Sequence, residues 1–453
     1  MHRKARNMEK SQSSGKSGMA ARAGALRLIH AVLSEKALLD EAYAHELAEG
    51  PLRKLNGSDR AFAKRIATTV LQHLGEIDTI LSRFMERGIP KKSGPLRNIL
   101  RIGTAELLFL NTPPHAVVDC AVSHYRTWRK YAGFKGLTNA VLRRISRDGA
   151  DELATIDPAK ATLPDWMYQS LSTTYGQDST NAMMAQFQKA QIPLDLTLKD
   201  PASADEWAER LGAEKMPSGS LRLASHDKVD TLEGFAEGAW WVQDAAATLP
   251  VQMLGEVSGQ KVLDLCAAPG GKTMQLAAGG ADVTALDISA KRLERIEQNL
   301  KRVGLSAELV KGDLLKKSFD AKWPFILLDA PCSATGTMRR HPELIHQRTP
   351  ADIGHFAKLQ AKMLNHVADM LAPGGLMVFC TCSLQPEEGP ELIADFLMQN
   401  PTFGIEPLTA EETPALAPFI QPDGSLRTRP DYWSEAGGMD GFFAIRLRNH
   451  APS

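Results

Sequence analysis

The apolar positions of this chain change their period near residue 261. Before about residue 150 they recur at helical spacing. Ala25, Leu28, Ile29, Val32 and Leu33 make one stripe, Ile66, Thr69, Val70 and His73 a second, and Leu100, Ala105, Leu107 and Leu108 a third within residues 96–110. Asn56-Gly57-Ser58-Asp59 predicts a loop and helix cap, and Thr112-Pro113-Pro114 stops one helix before the next starts at Ala116. With no alternating stretch among them, residues 20–150 predict an independent all-helical domain. Residues 1–19 are basic and Ser/Gly-rich and predict a disordered tail.

Residues 148–161 are mixed and Pro-containing, a linker by pattern. Leu163-Pro164-Asp165-Trp166 opens a further helix, residues 194–199 alternate like a strand, Ser203 caps a helix over 204–211, and 220–224 fit a second strand. Residues 151–237 therefore predict a linker and a small α+β subdomain. The run 238–247, with Trp240 and Trp241, leads into a helix. From Lys261 strands and helices alternate: strands over 262–266, 282–287, 307–312, 325–329 and 376–380, and helices over 272–278, 290–303 and 351–371, the last broken by Pro373-Gly374-Gly375. A final strand falls within 437–447. Residues 238–453 predict an α/β domain with a parallel sheet, so the whole is a multidomain chain.

Composition narrows the class. Lys plus Arg equals Asp plus Glu at 53 each, so overall charge does not point to nucleic acid and local clustering must. Five cysteines in 453 residues make no disulfide framework. They suit a reducing cytoplasmic compartment. No apolar run reaches the roughly 18 residues of a membrane span, and the amino terminus has no secretory signal. No Cys/His set completes a metal site; Cys380 and Cys382 give a C-x-C spacing without a partner pair.

The helical region does cluster cations. Arg60, Lys64 and Arg65 gather near one helix start, and Arg126, Arg129, Lys130, Lys135, Arg143 and Arg144 interleave with Tyr125, Trp128, Tyr131 and Phe134. Phosphate attraction combined with base stacking suits RNA. Three stretches, Ser58-Asp59-Arg60-Ala61-Phe62, residues 98–107 and residues 136–143, resemble the NusB-type RNA-binding domain.

Three strands end in turns that carry chemistry. The Gly-rich turn Cys266-Ala267-Ala268-Pro269-Gly270-Gly271-Lys272-Thr273 follows the first strand and opens a helix, whose free amides and small residues let a ligand approach. It is neither G-x-G-x-x-G nor a Walker A loop. Asp287 ends the next strand, where an acid holds ribose hydroxyls. Asp313 ends the third, where an acid accepts from an adenine amino group. This series fits S-adenosylmethionine at least as well as a nicotinamide cofactor. Cys332, in Asp329-Ala330-Pro331-Cys332-Ser333, and Cys382, in Thr381-Cys382-Ser383, follow two further strands at the same sheet edge. A thiolate that adds to carbon 6 of a pyrimidine makes carbon 5 nucleophilic enough to take a methyl group. Cys380 and Cys120 read as small buried hydrophobes.

The Gly-rich turn, the Pro-Cys turn and the Thr-Cys-Ser turn together resemble the Fmu/Sun (RsmB-type) RNA 5-methylcytosine methyltransferases, and with the NusB-like front the resemblance covers nearly the whole chain. It implies a Rossmann-like class I S-adenosylmethionine-dependent core. It implies Cys382 as nucleophile, Cys332 in release of the methylated RNA, and Asp329 at the cytosine edge. Cofactor binding falls to Cys266, Ala267, Ala268, Pro269, Gly270, Gly271, Lys272, Asp287, Asp313 and Asp329, with Arg292 supporting the pocket. It also implies RNA contact by Arg339-Arg340-His341-Pro342-Glu343, and as substrate 16S ribosomal RNA before full small-subunit assembly, met by a monomer in a bacterial cytoplasm. Four positions depart from the family: Thr197 and Lys199 stand where an Arg and an Asn are usual, Ala334 replaces a glycine, and Gly389 replaces an asparagine. Two rivals stay open: a transfer-RNA cytosine methyltransferase, and a non-catalytic NusB-like assembly factor.

Overall fold

The structure, a computed structural model, describes residues 2–226, 228–411 and 413–452, with side chains from residue 18 onward. The chain divides into two compact units. One holds the residues through Ala190 together with Arg340–Gln347; the other holds Gln191–Arg339 and Arg348 onward. No described helix is long and apolar enough to cross a membrane.

The first unit is helical: α1 (His2–Glu35), α2 (Leu39–Ala48), α3 (Gly57–Gln72), α4 (Leu74–Phe84), α5 (Leu96–Leu108), α6 (Pro114–Ser123), α7 (Lys135–Leu153), α8 (Pro158–Thr162), α9 (Asp165–Tyr175) and α10 (Gln177–Phe187). The sequence stripes are its core: Leu28, Ile29, Val32, Ile66, Val70, Leu100 and Ala105 are all fully buried. Asn56 caps α3 by accepting from Asp59 N at 2.8 Å. Two differences have local causes. Helix α1 runs through the stretch expected as a tail, which lacks proline and sets helix-forming Lys, Arg and Met among its Ser and Gly residues; the basic side chains of residues 1–17 lie outside the described residues. The linker shrinks to a few residues, because Asp157 caps α8 through Ala159 N and Lys160 N with Pro158 at the first helical position. The unit then continues to Ala190, past the boundary expected at 150.

The second unit starts with β1 (Leu194–Leu198), α11 (Ala204–Leu211), β2 (Glu214–Lys215), β3 (Leu221–Leu223) and β4 (Trp240–Val242), which form a small antiparallel sheet in the order β2-β3-β1-β4. Trp240 and Trp241 point to opposite faces of β4 and both are buried, which makes a strand of the expected helix lead-in. Beneath β1 and β3, Arg222 grips Asp195 with two bonds of 2.7 and 2.8 Å, and Asp195 also accepts from Ala245 N at 2.9 Å.

After α12 (Ala245–Gln252) come β5 (Lys261–Leu265), α13 (Gly271–Ala278), β6 (Asp282–Asp287), α14 (Ala290–Val303), β7 (Glu308–Lys311) and β8 (Trp323–Asp329). The chain then forms α15 (Glu343–Gln347), which belongs to the helical unit: Leu39 N donates to Glu343 Oε1 at 3.1 Å, and Gln347 Nε2 donates to Ala37 O at 2.9 Å. It returns as α16 (Pro350–Ala368), β9 (Leu371–Thr381), α17 (Pro390–Gln399), β10 (Phe403–Ile405), β11 (Leu426–Arg427) and β12 (Phe443–Asn449). The main sheet runs β7-β6-β5-β8-β9-β12-β10, with β11 on β12. The five strands β5 to β9 are mutually parallel and β12 is antiparallel. Pro373-Gly374-Gly375 does not end a helix; the pairing jumps from Trp323↔Leu371 to Phe325↔Leu376, so the three residues are absorbed as a bulge in β9. The strand order reverses between β5 and β8, and the carboxyl ends of parallel strands at such a reversal form a crevice for ligands.

Candidate active site

Every residue that the sequence assigned to chemistry in the second unit lies at or just past the carboxyl ends of β5, β6, β7, β8 and β9. The Gly-rich turn is tight. Cys266 has φ +59° and Gly270 φ +100°, both in the left-handed region, and such strain concentrates at binding turns. A Cβ on Gly270 would lie 3.1 Å from Ile296, so a side chain would also crowd α14. Arg292 closes the turn from outside: its Nη2 donates to Ala268 O at 3.0 Å, and Nη1 lies 3.7 Å from Asp287 Oδ2.

Asp287 is buried and built into the turn, accepting from Ser289 N at 2.9 Å and Ala268 N at 3.2 Å. Each carboxylate oxygen keeps a lone pair for a hydroxyl. Asp313 accepts from Leu315 N at 3.1 Å, and its side chain is 32% exposed, open enough to meet a ligand. Three acids on consecutive strand ends beside a small-residue turn fit a nucleoside cofactor with a cationic tail.

Lys272 ion-pairs with Asp329 at 2.8 Å and lies over the Phe442 ring. Burial alone would lower the Lys272 pKa, but the charge of Asp329 outweighs it and raises the pKa, so the ammonium keeps its charge. The sequence left the partner of Lys272 open; the structure gives it Asp329. Cys380 is fully buried, as expected, yet its thiol points 3.5 Å from Asp329 Oδ1. Burial and the Asp329 charge hold that thiol well above its usual pKa. Burial also pushes the Cys266 thiol up to about 12, which leaves it neutral beside the cofactor turn.

The sulfurs of Cys332 and Cys382 are 3.4 Å apart, within hydrogen-bonding distance for thiols. All five cysteines are free. Cys332 is raised well above the usual thiol pKa by the hydrogen bond with Cys382, then by burial, then by the charges of Cys382 and Glu388. Pattern alone missed three features of the site, two of which support this pair. Glu388 is fully buried and binds residues next to both cysteines: it accepts from Ser333 N at 2.8 Å, from the Ser333 hydroxyl, and from Ser383 Oγ at 2.6 Å. Gln360 donates to Glu388 Oε1 at 3.0 Å and to Pro331 O at 2.9 Å. Asp264 lies buried under the turn, with Oδ2 bonded to Thr273 at 2.6 Å and no partner on Oδ1. Only the C-x-C spacing hinted at Cys380, since residues two apart on a strand share a face.

The departures have consequences. Ala334 sits at φ +58°, which glycine adopts without the steric cost an alanine bears. A side chain on Gly389 would press on Arg427 and Phe443 at 3.0 and 3.1 Å, so this chain has filled the space of the usual asparagine.

The expected RNA turn is corrected. Arg339 is 1% exposed and pairs with Asp440 at 2.9 Å and with Asp244, and Glu343 is fully buried. Of that segment Arg340 is exposed. A guanidinium placed between two buried carboxylates is held by them rather than offered to phosphate.

In the helical unit the cation set divides. Arg60 donates to Leu52 O and Arg53 O, Lys64 pairs with Asp40, and Arg144 stacks over Phe84. Arg126, Arg129, Lys130, Lys135 and Arg143 are exposed. Arg143 and Arg147 also line a groove of 620 Å³ between α6 and α7, with His115, Asp119 and Asn139. The aromatic part of the expectation shrinks. Tyr125 is buried and bonded to Thr138, Tyr131 and Phe134 pack on the core, and Trp128 is exposed.

A family model described as 16S rRNA methyltransferase RsmB/F matches residues 251–448, and one of the NusB family matches residues 19–147. The chain is 35% identical over 384 residues to a ribosomal RNA small subunit methyltransferase B of Salmonella arizonae, covering 80% of this chain and 87% of that protein. The protein of the same name from Citrobacter koseri is 35% identical over 416 residues, 87% of this chain and 92% of the other. Among solved structures, PH0851 matches with a TM-score of 0.73 at 24% identity over 95% of this chain and 98% of that one. NSun6 from Pyrococcus horikoshii, solved with SFG, matches with a TM-score of 0.55 at 18% identity over 64% and 99%. At these identities the structures speak for the fold. Taken with the sequence relatives, they show that the chain belongs to the RsmB/F family of 16S rRNA methyltransferases, enzymes that use S-adenosylmethionine, and carries a NusB domain ahead of its methyltransferase fold.

Proposed function

We propose that this protein methylates carbon 5 of a cytosine in 16S ribosomal RNA through a covalent adduct with Cys382. It works as a cytoplasmic monomer on RNA not yet fully assembled into the small subunit, where unstacking the target base costs least. The observation that carries this reading is the pair of free thiols 3.4 Å apart, beside the Lys272–Asp329 ion pair.

The Cys382 thiolate adds to carbon 6, and Asp329, having taken up a proton, donates it in a hydrogen bond to the ring nitrogen where negative charge develops. Lys272 holds Asp329 in place and supplies positive charge to a site that gains negative charge. S-adenosylmethionine, bound at the Gly-rich turn and the strand-end acids, supplies the methyl group as an electrophile. Cys332, its own proton passed to water, then takes the carbon-5 proton as a thiolate, and the electron pair of the carbon–hydrogen bond expels Cys382 as a thiolate to release the product. The raised pKa of Cys332 gives this order a physical basis. Once Cys382 is a thioether it carries no charge and accepts only weakly from the Cys332 thiol, so the two causes by which Cys382 opposes Cys332 ionisation fall away. Adduct formation thereby prepares the base for the next step. Exposed cations of the helical unit bind RNA phosphate.

Cys382→Ala is expected to abolish turnover, and Cys332→Ala to accumulate a protein–RNA adduct that survives denaturing gel electrophoresis. A Cys332→Ala variant that turns over freely and leaves no adduct would contradict the release role. Methyl transfer to transfer RNA alone would retain the chemistry and change the substrate. RNA binding without methyl transfer to any RNA would favour an assembly factor.

A further inference from the structure

We infer that Glu388 is a positioning residue that holds the two cysteine turns in register. This rests on the reading of Cys382 and Cys332 as the working pair and adds what keeps them a pair. The turns leave different strands, β8 and β9, and their sequences are about fifty residues apart. Backbone bonds link them at Ala330 N to Cys380 O (3.0 Å) and Gly336 N to Cys382 O (2.9 Å). Between those points the link is side-chain chemistry centred on one carboxylate. Glu388 Oε1 accepts from Ser333 N and Gln360 Nε2, and Oε2 accepts from the hydroxyls of Ser333 and Ser383. Ser333 and Ser383 each follow a cysteine directly. Ser333 Oγ and Ser383 Oγ also meet at 3.1 Å, and Thr335 Oγ1 reaches Ser383 Oγ at 3.2 Å. The Glu388 backbone O accepts from Thr381 Oγ1 at 3.0 Å, on the other side of Cys382.

A buried carboxylate is costly unless its lone pairs are filled, and here four donors fill them. Those donors come from both turns and from α16. The carboxylate therefore couples the turns: neither serine can shift without leaving a buried charge short of a partner. Its charge also faces Cys332, where it is one of the causes that raise the thiol pKa.

The test uses the full chain with Glu388→Ala and Glu388→Gln. Phenylarsine oxide bridges two adjacent thiols, releasing water, and needs no RNA. Wild type is expected to give a bridged Cys332–Cys382 peptide pair in a mass-mapped digest. Glu388→Ala should lose that bridge while iodoacetamide still labels both cysteines. Its kcat should fall about 100-fold, the cost of a misplacement near 1 Å, with KM for RNA little changed. Glu388→Gln keeps the shape, its oxygen can accept from Ser333 N and Gln360, and its amide can donate to the two serine hydroxyls, so it should restore the bridge and most of kcat. It should also move Cys332 alkylation to lower pH, because the charge is gone. If Glu388→Ala does not fold, the comparison passes to Ser383→Ala, which removes one anchor and should weaken the bridge in part. A Glu388→Ala protein that bridges as wild type does, or loses the bridge with kcat unchanged, would overturn the inference. The arsenical reads thiol register whether or not any RNA is methylated, so failure of the clamp and failure of the cytosine reading are told apart.

Discussion

Asp264 shows how one buried residue sets a pH dependence. Its Oδ2 accepts from Thr273 and its Oδ1 has no partner, so burial outweighs the single hydrogen bond and pushes its pKa from 3.8 to about 7. Between these values the folded protein holds a proton that the unfolded chain has released. Stability therefore falls as pH rises through that window, and the loss is complete above about 7, with an order of magnitude of about 4 kcal/mol. Asp264→Asn is expected to flatten this dependence, measured as the change in Tm between pH 5 and pH 8; an unchanged slope would refute the assignment. The placement of Cys332, Cys382 and Asp329 at strand ends was legible in the sequence because each sits in a short motif. Asp264, Cys380 and Glu388 were not. Their significance comes from partners far along the chain, as with Glu388 and Ser333, which lie 55 positions apart.

At the scale of elements, Arg339 links three segments: its own loop after β8, the start of α12 through Asp244, and the approach to β12 through Asp440. Asp244 also caps α12 by accepting from Ala246 N at 3.0 Å. Removing one member of a buried ionic set leaves uncompensated charge, at a cost of roughly 3–5 kcal/mol. Arg339→Ala should lower chemical-denaturation stability by that amount; an RNA affinity defect in a protein of wild-type stability would return the residue to the RNA-contact role. The core strands were legible from their apolar runs, and α14 from its helical period. The bulge in β9 was not, because Pro373-Gly374-Gly375 breaks a helix and a regular strand equally well, and only pairing with β8 decides. Strand β4 escaped for the same reason: Trp240-Trp241 declares its period only when β1 lies beside it.

For the whole molecule, the balanced charge hides an uneven distribution. The exposed cations of the helical unit suit phosphate, while Arg60 and Lys64 are held by their own domain. Replacing Arg129, Lys130 and Arg143 together by glutamine should weaken RNA binding and reduce the slope of log K against log salt by about 2, given roughly 0.7 per phosphate contact on single strands. An unchanged slope would place the RNA contacts elsewhere. The passage from helical to alternating apolar spacing was legible, but the boundary at Ala190 and the return of residues 340–347 to the helical unit were not, since eight residues carry too little pattern to declare their partner. Methyl transfer to carbon 5 of a cytosine in 16S ribosomal RNA would leave that base protected from bisulfite. Bisulfite sequencing of 16S ribosomal RNA, incubated with S-adenosylmethionine and either the wild-type protein or Cys382→Ala, tests it most directly. One cytosine is expected to be protected by the wild type and unprotected with the variant. Protection with both proteins, or 16S ribosomal RNA that gains methyl groups with no protected cytosine, would contradict it.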